Sequence, residues 1–108
     1  MSPHPPVETL EAHGCSIVLR RVEGPEAREF FFHCQPPAAL VDGEAQAEAI
    51  YRGMGSVLGA EVGGFGSVVS ETVFLRHLRR DLARVRAARR RVLGEGYAPS
   101  HRPATTEI

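Results

Sequence analysis

The run Ser67-Val-Val-Ser-Glu-Thr-Val-Phe-Leu-Arg76, followed by Leu78 to Leu93, decides the architecture. Its first part alternates at the two-residue period of a strand. Val69, Glu71, Val73 and Leu75 fall on one face, and Val68, Ser70, Thr72 and Phe74 on the other. Apolar residues on both faces predict an interior strand covered on each side. The second part changes period. Leu78, Leu82, Val85, Ala88, Val92 and Leu93 recur along one face of a helix, with Arg79, Arg80, Arg84, Arg86, Arg90 and Arg91 around the remainder. Arg89 falls within the apolar face. Gly94 and Gly96 stop the helix.

Working outward, Cys15 to Val22 is rich in β-branched residues and reads as a strand. Gly24 and Pro25 mark a turn, and Ala27 to Gln35 returns antiparallel to it. Asp42 is placed to cap a helix over residues 43–60, whose apolar positions are Ala47, Ile50, Met54, Val57 and Leu58. Gly53, Gly55 and Gly59 weaken that helix but permit close packing against a sheet. Ala104 to Ile108 starts another strand. Residues 1–14, with Pro3, Pro5 and Pro6, read as a flexible tail, and residues 15–108 as a single domain. The order strand, strand, helix, strand, helix, strand predicts an α+β domain with two helices on one face of a sheet.

The 108 residues are 43% apolar and 24% charged, which excludes a disordered chain and a disulfide-dense toxin. No apolar run approaches the ~20 residues that cross a bilayer. The N-terminus lacks the pattern of a secretory leader, and two cysteines make no disulfide framework, so a reduced, cytoplasmic protein is expected. Net charge is zero, yet residues 76–91 hold eight Arg against one Asp.

Several segments, taken in order, resemble the Rid (YjgF-like) family of small trimeric proteins. Residues 67–78 are similar to its "DVVKTTVFLTDM" segment, and Asp81-Leu82 with Val85 to the helix start that follows. Phe31 to Pro37 is similar to its "VFVSGQIP" strand, Gln46 to Leu58 to its first helix, and Arg102-Pro-Ala-Thr-Thr106 to its "PAR(S/T)T" signature. The resemblance implies a chorismate-mutase-like fold and a homotrimer with clefts between subunits. It also implies hydrolysis of reactive enamines or imines, such as 2-aminoacrylate, without a cofactor. In the active form the Arg of the signature grips the substrate carboxylate, as bidentate guanidinium pairing suits. Here that position is Thr105, which carries no charge, and the Gly of "SGQ" is Cys34. The family places a further strand after the signature, with an acidic residue linked to water activation. The expectation is therefore a divergent or C-terminally shortened member.

The residues that the resemblance places in the cleft are Cys34, Gln35, Arg102, Thr105 and Glu107; catalytic residues are unassigned. The reading adopted is a Rid-like protein with a small-molecule cleft between subunits, and not a standard 2-aminoacrylate deaminase. One alternative is an active enamine or imine hydrolase in which Arg102 stands in. Another is a nucleic-acid-binding module using the Arg-rich helix, whose binding would fall steeply with salt; few aromatics accompany that helix, and nucleic acid is not the expected partner.

Individual residues carry competing readings. Cys34 reads as a nucleophile or redox thiol, or as a small apolar residue packed in a strand. His13, Cys15, His33 and Cys34 could meet on paired strands as a metal site, but their spacing is no known ligand pattern and no metal is expected. Arg89 lines a pocket between subunits, anchors a ligand anion, or snorkels at a subunit contact. Glu71 acts as a base, pairs with an Arg of the following helix or contacts solvent in a trimer channel, because an unpaired carboxylate there is costly.

Overall fold

The computed structural model describes residues 6–63, 68, 70–75, 78–94 and 104–108. Seven elements follow one another: β1 (Val7–Ala12), β2 (Cys15–Glu23), β3 (Arg28–Gln35), α1 (Gly43–Val62), β4 (Ser70–Val73), α2 (Leu78–Leu93) and β5 (Ala104–Glu107). The result is a small α+β domain. The first three strands form an antiparallel sheet in the order β1-β2-β3.

β1 corrects the expectation of a tail over residues 1–14. Val7 to Ala12 alternates exposed and half-buried positions and pairs with β2, from Val7 opposite Arg20 to Ala12 opposite Cys15. The two residues joining them, His13 and Gly14, both have positive φ (51° and 76°). That is the backbone a two-residue hairpin needs to match strand twist. A side chain at Gly14 would also press against Pro37, whose Cγ lies 2.9 Å from the Cβ position. The strand is short and follows a proline-rich start, so its alternation is weak in sequence. The β2–β3 hairpin forms as read, closed by Gly24 N–H donating to the Ala27 carbonyl (2.8 Å).

α1 begins at its expected cap, where Asp42 accepts from Ala45 N–H at 3.0 Å. It runs two residues beyond the expected end, to Val62, and Gly63 stops it in the left-handed region (φ 87°). One face of α1 lies on the three-stranded sheet. Cys15, Ile17 and Val57 form the buried centre there, flanked by Leu10, Phe32, Ile50 and Met54. Gly53 sets the distance: a Cβ there would come within 2.9 Å of the Ala12 carbonyl oxygen and 3.4 Å of Cys15 Cβ. The close packing anticipated for these glycines is thus real at position 53.

A second cluster joins α1 to α2 through Ala47, Tyr51, Val85, Ala88 and Leu93, with Val73 and Leu75 packed against it. α2 is the crossover of a β-α-β unit: β4 and β5 pair in parallel, with Glu71 opposite Thr105 and Val73 opposite Glu107. Among the described residues, then, the strands form two separate sheets rather than the single one expected. β4 also departs from the interior strand covered on both faces. It spans four residues, and just beyond it Phe74 is 76% exposed, so only the Val73 and Leu75 side is covered.

Candidate functional site

The sequence-selected site residues fall on two sheets. Cys34 and Gln35 end β3. Cys34 faces inward toward α1 and Gln35 faces out. Thr105 and Glu107 lie on β5, and Arg102 lies outside the described residues. The alternation that turns Ile17 and Leu19 inward turns Val18 and Val22 outward. On that outer face Arg20 stands between Val7 and Phe31, and Val18 between Thr9 and His33. Phe31 is 55% exposed and Val7 57%. Among the described residues no helix covers this face.

Cys34 is chemically quiet. Burial, and secondarily the neighbouring Cys15 thiol, push its pKa up to about 12. The nucleophile is the thiolate, so a thiol held neutral at physiological pH does not suit unassisted nucleophilic catalysis. Burial raises Cys15 as well. The four-residue metal grouping does not assemble: His33 faces out while the two cysteines face in. Among the described residues no three metal-ligating side chains converge.

Glu107 is engaged rather than free. Arg86 Nε donates to both of its carboxylate oxygens, at 3.2 and 3.1 Å. Three residues on, Arg89 Nε donates to Glu71 at 2.5 Å. The two contacts form rungs between α2 and the β4–β5 pair. They explain the arginine within an apolar face: Arg89 is there to meet Glu71, and both side chains are largely buried (25% and 18% exposed). Glu71 therefore has the structural partner that one sequence reading required.

Three more arginines of α2 follow the same pattern. Arg80 pairs with Asp81 (3.0 Å) and Arg84 with Asp42 (3.5 Å). Arg91 reaches Glu44 (3.0 Å) and Glu48 (3.3 Å) across the interface with α1. The hydrogen bond from Arg52, followed by the charge of Arg91, holds the Glu48 carboxyl below its ordinary range. Within residues 76–91, Arg84, Arg86, Arg89 and Arg91 are thus answered by acids elsewhere in the fold, and Arg80 by Asp81. That weakens the electrostatic case for phosphate binding, which needs cations available to displace counterions.

Two surface depressions lie elsewhere. One, of about 310 Å³, is bordered by His13, Tyr51, Arg52, Gly55, Ser56 and Val92. His13 Nε2 is 3.2 Å from Ser56 Oγ at its rim. The other, of about 330 Å³, lies at the N-terminus of α1 beside Asp42, Arg80, Asp81 and Arg84. Neither is bordered by Cys34, Gln35 or Glu107. Ser56 had no signal in the sequence, because its partner lies 43 residues away across a turn. No helix among the described residues is long and apolar enough to cross a membrane. The chain matches no family model and no curated protein.

Proposed function

We propose that this chain is a Rid-like homotrimeric module whose small-molecule cleft lies between subunits, and that it is not a standard 2-aminoacrylate deaminase. The observation that carries the reading is the open outer face of the β1-β2-β3 sheet. It presents Val7, Val18, Val22 and Phe31 to solvent, with Arg20, Glu11 and Glu29 interspersed. A sheet of this size is ordinarily covered on at least one face and gains by covering the second. Association through it buries those side chains and brings Gln35, on the same face, toward a neighbouring copy. The motif segments support the reading by their placement. Phe31 to Pro37 contains the end of β3, Gln46 to Leu58 lies within α1, and Thr105 falls on β5.

The substrate class follows from the side chains. Thr105 offers a hydroxyl where the family pattern has a guanidinium, and the Glu107 carboxylate is bound to Arg86. A cleft so furnished favours a neutral, polar metabolite over a carboxylate. The test is native mass by light scattering after size exclusion, followed by a 2-aminoacrylate breakdown assay on the same sample. A trimer of the 11.8 kDa chain without deaminase activity is expected. A stable monomer refutes the intersubunit cleft, and robust 2-aminoacrylate hydrolysis refutes the assigned substrate class.

A further inference from the structure

Cys15 and Cys34 occupy adjacent strands on the same, inward side of the sheet. Ile17 stands opposite Cys34, so Cys15 is one diagonal step from it across the β2–β3 ladder. The Cys15 Sγ–H donates to the His13 carbonyl at 4.0 Å, and each thiol lies near enough to the other to perturb its ionisation. They share one apolar cluster, beneath a helix that presents the bare backbone of Gly53 to Cys15. A Cβ at Gly53 would stand 3.5 Å from Cys15 Sγ. Both cysteines are reduced in the structure.

From this juxtaposition we infer that Cys15 and Cys34 form a reversible intramolecular disulfide, a redox-controlled clasp across the open end of the β2–β3 hairpin. Diagonal neighbours on a sheet start with Cα atoms about 7–8 Å apart, slightly beyond what an unstrained disulfide spans. Closing the bond therefore draws the strand ends together. Cys34 supplies that movement, because it lies one residue from the end of β3, whereas Cys15 is held by its pairing with Ala12. A bond made under such strain is easily reduced, which suits a switch rather than a permanent staple.

Access sets the order of events. Cys15 is fully buried, while Cys34 is partly exposed. A low-molecular-weight disulfide such as oxidised glutathione meets Cys34 first. The Cys34 thiolate attacks one of its sulfurs and releases one glutathione thiolate, leaving a mixed disulfide. The Cys15 thiolate then attacks Cys34 Sγ and expels the second. Two protein thiols are oxidised by two electrons, and one glutathione disulfide is reduced to two thiols that take up the released protons. Burial keeps both protein thiols protonated at neutral pH, so the reaction is slow and responds to sustained oxidation. The inference does not depend on the intersubunit cleft.

The test is intact-mass analysis and thiol counting of the 108-residue chain after equilibration with oxidised glutathione. The expected product is a monomeric covalent species lacking two hydrogens, with no thiol open to alkylation after denaturation, and fully restored by dithiothreitol. Cys15→Ser should stop at a glutathione adduct, and Cys34→Ser should resist modification. If either variant fails to fold, the other supplies the control. A wild-type product that stays a mixed disulfide, cross-links between chains, or retains both thiols overturns the proposal.

Discussion

Replacing Gly53 with alanine tests the packing of α1 on the sheet, and Gly59 supplies an internal control. Both glycines lie inside the same helix, where an alanine is intrinsically better by roughly 1 kcal/mol. At Gly59 a Cβ meets nothing within 4 Å, so Gly59→Ala should deliver most of that gain. At Gly53 the added Cβ would stand 2.9 Å from the Ala12 carbonyl oxygen and 3.4 Å from Cys15 Cβ. The first neighbour is backbone, held in register with Cys15, and cannot rotate aside. Relief requires lifting the helix from the sheet and loosening the contacts of Val57, Ile50 and Met54. Overpacking of this kind costs about 1–3 kcal/mol, which exceeds the propensity gain. The net expectation is a loss of up to about 2 kcal/mol for Gly53→Ala and a gain of about 0.5–1 kcal/mol for Gly59→Ala. Urea titration followed by circular dichroism measures both, and opposite shifts of the midpoint are the signature. If both substitutions stabilise by similar amounts, α1 does not approach the β1–β2 turn at Gly53 as described, and the reasoning fails.

Two further outcomes are expected. Arg89→Met should remove the arginine from the Glu71 carboxylate and cost about 2–3 kcal/mol, somewhat below a fully buried pair because both groups keep some solvent. Glu71→Gln in the same chain should restore a large part of that loss in a denaturation cycle; no recovery would mean that the two side chains are not coupled. The second outcome concerns alkaline pH. Cys34 is raised from an ordinary value near 9 to about 12, so the unfolded chain releases its proton first as pH rises. The stability this provides is complete below pH 9 and declines as pH climbs toward 12. Denaturation midpoints should therefore fall over that window in the wild type and fall less in Cys34→Ser; parallel declines would refute a perturbed thiol.

The elements that sequence revealed are those with a strong local period. α2 was legible from its apolar positions, and the β2–β3 hairpin from β-branched runs around Gly24 and Pro25. β1 was not, because six alternating residues behind a proline-rich start carry little periodic signal until His13 and Gly14 fold them back. The strand around Glu71 was found, but its exposure was not: covering depends on what packs alongside, and Phe74 is 76% exposed. The site shows the same division. Arg89 and Glu71 were each visible as misfits in apolar patterns, and their pairing was one of the readings open in sequence. That Cys15 and Cys34 could meet on paired strands was open in sequence, but their diagonal placement was not, since it depends on a strand register fixed by the length of the intervening turn.

The parallel pairing of β4 with β5 carries a kinetic consequence. An antiparallel hairpin such as β2–β3 closes across a few residues, so the three-stranded sheet can assemble early from neighbouring segments. β5 has no such shortcut. Its partner lies on the far side of the whole of α2, and the long loop must close before the first bond between Ser70 and Ala104 repays the entropy. β5 is thus the last strand to join and the first to leave. Amide exchange should be faster at Thr106 than at Leu19; equal protection would mean that the two sheets form as one cooperative unit. The segment bearing Thr105 and Glu107 would then be the part of this domain whose occupancy a ligand or a second copy can most readily shift, because there the cost of opening is smallest.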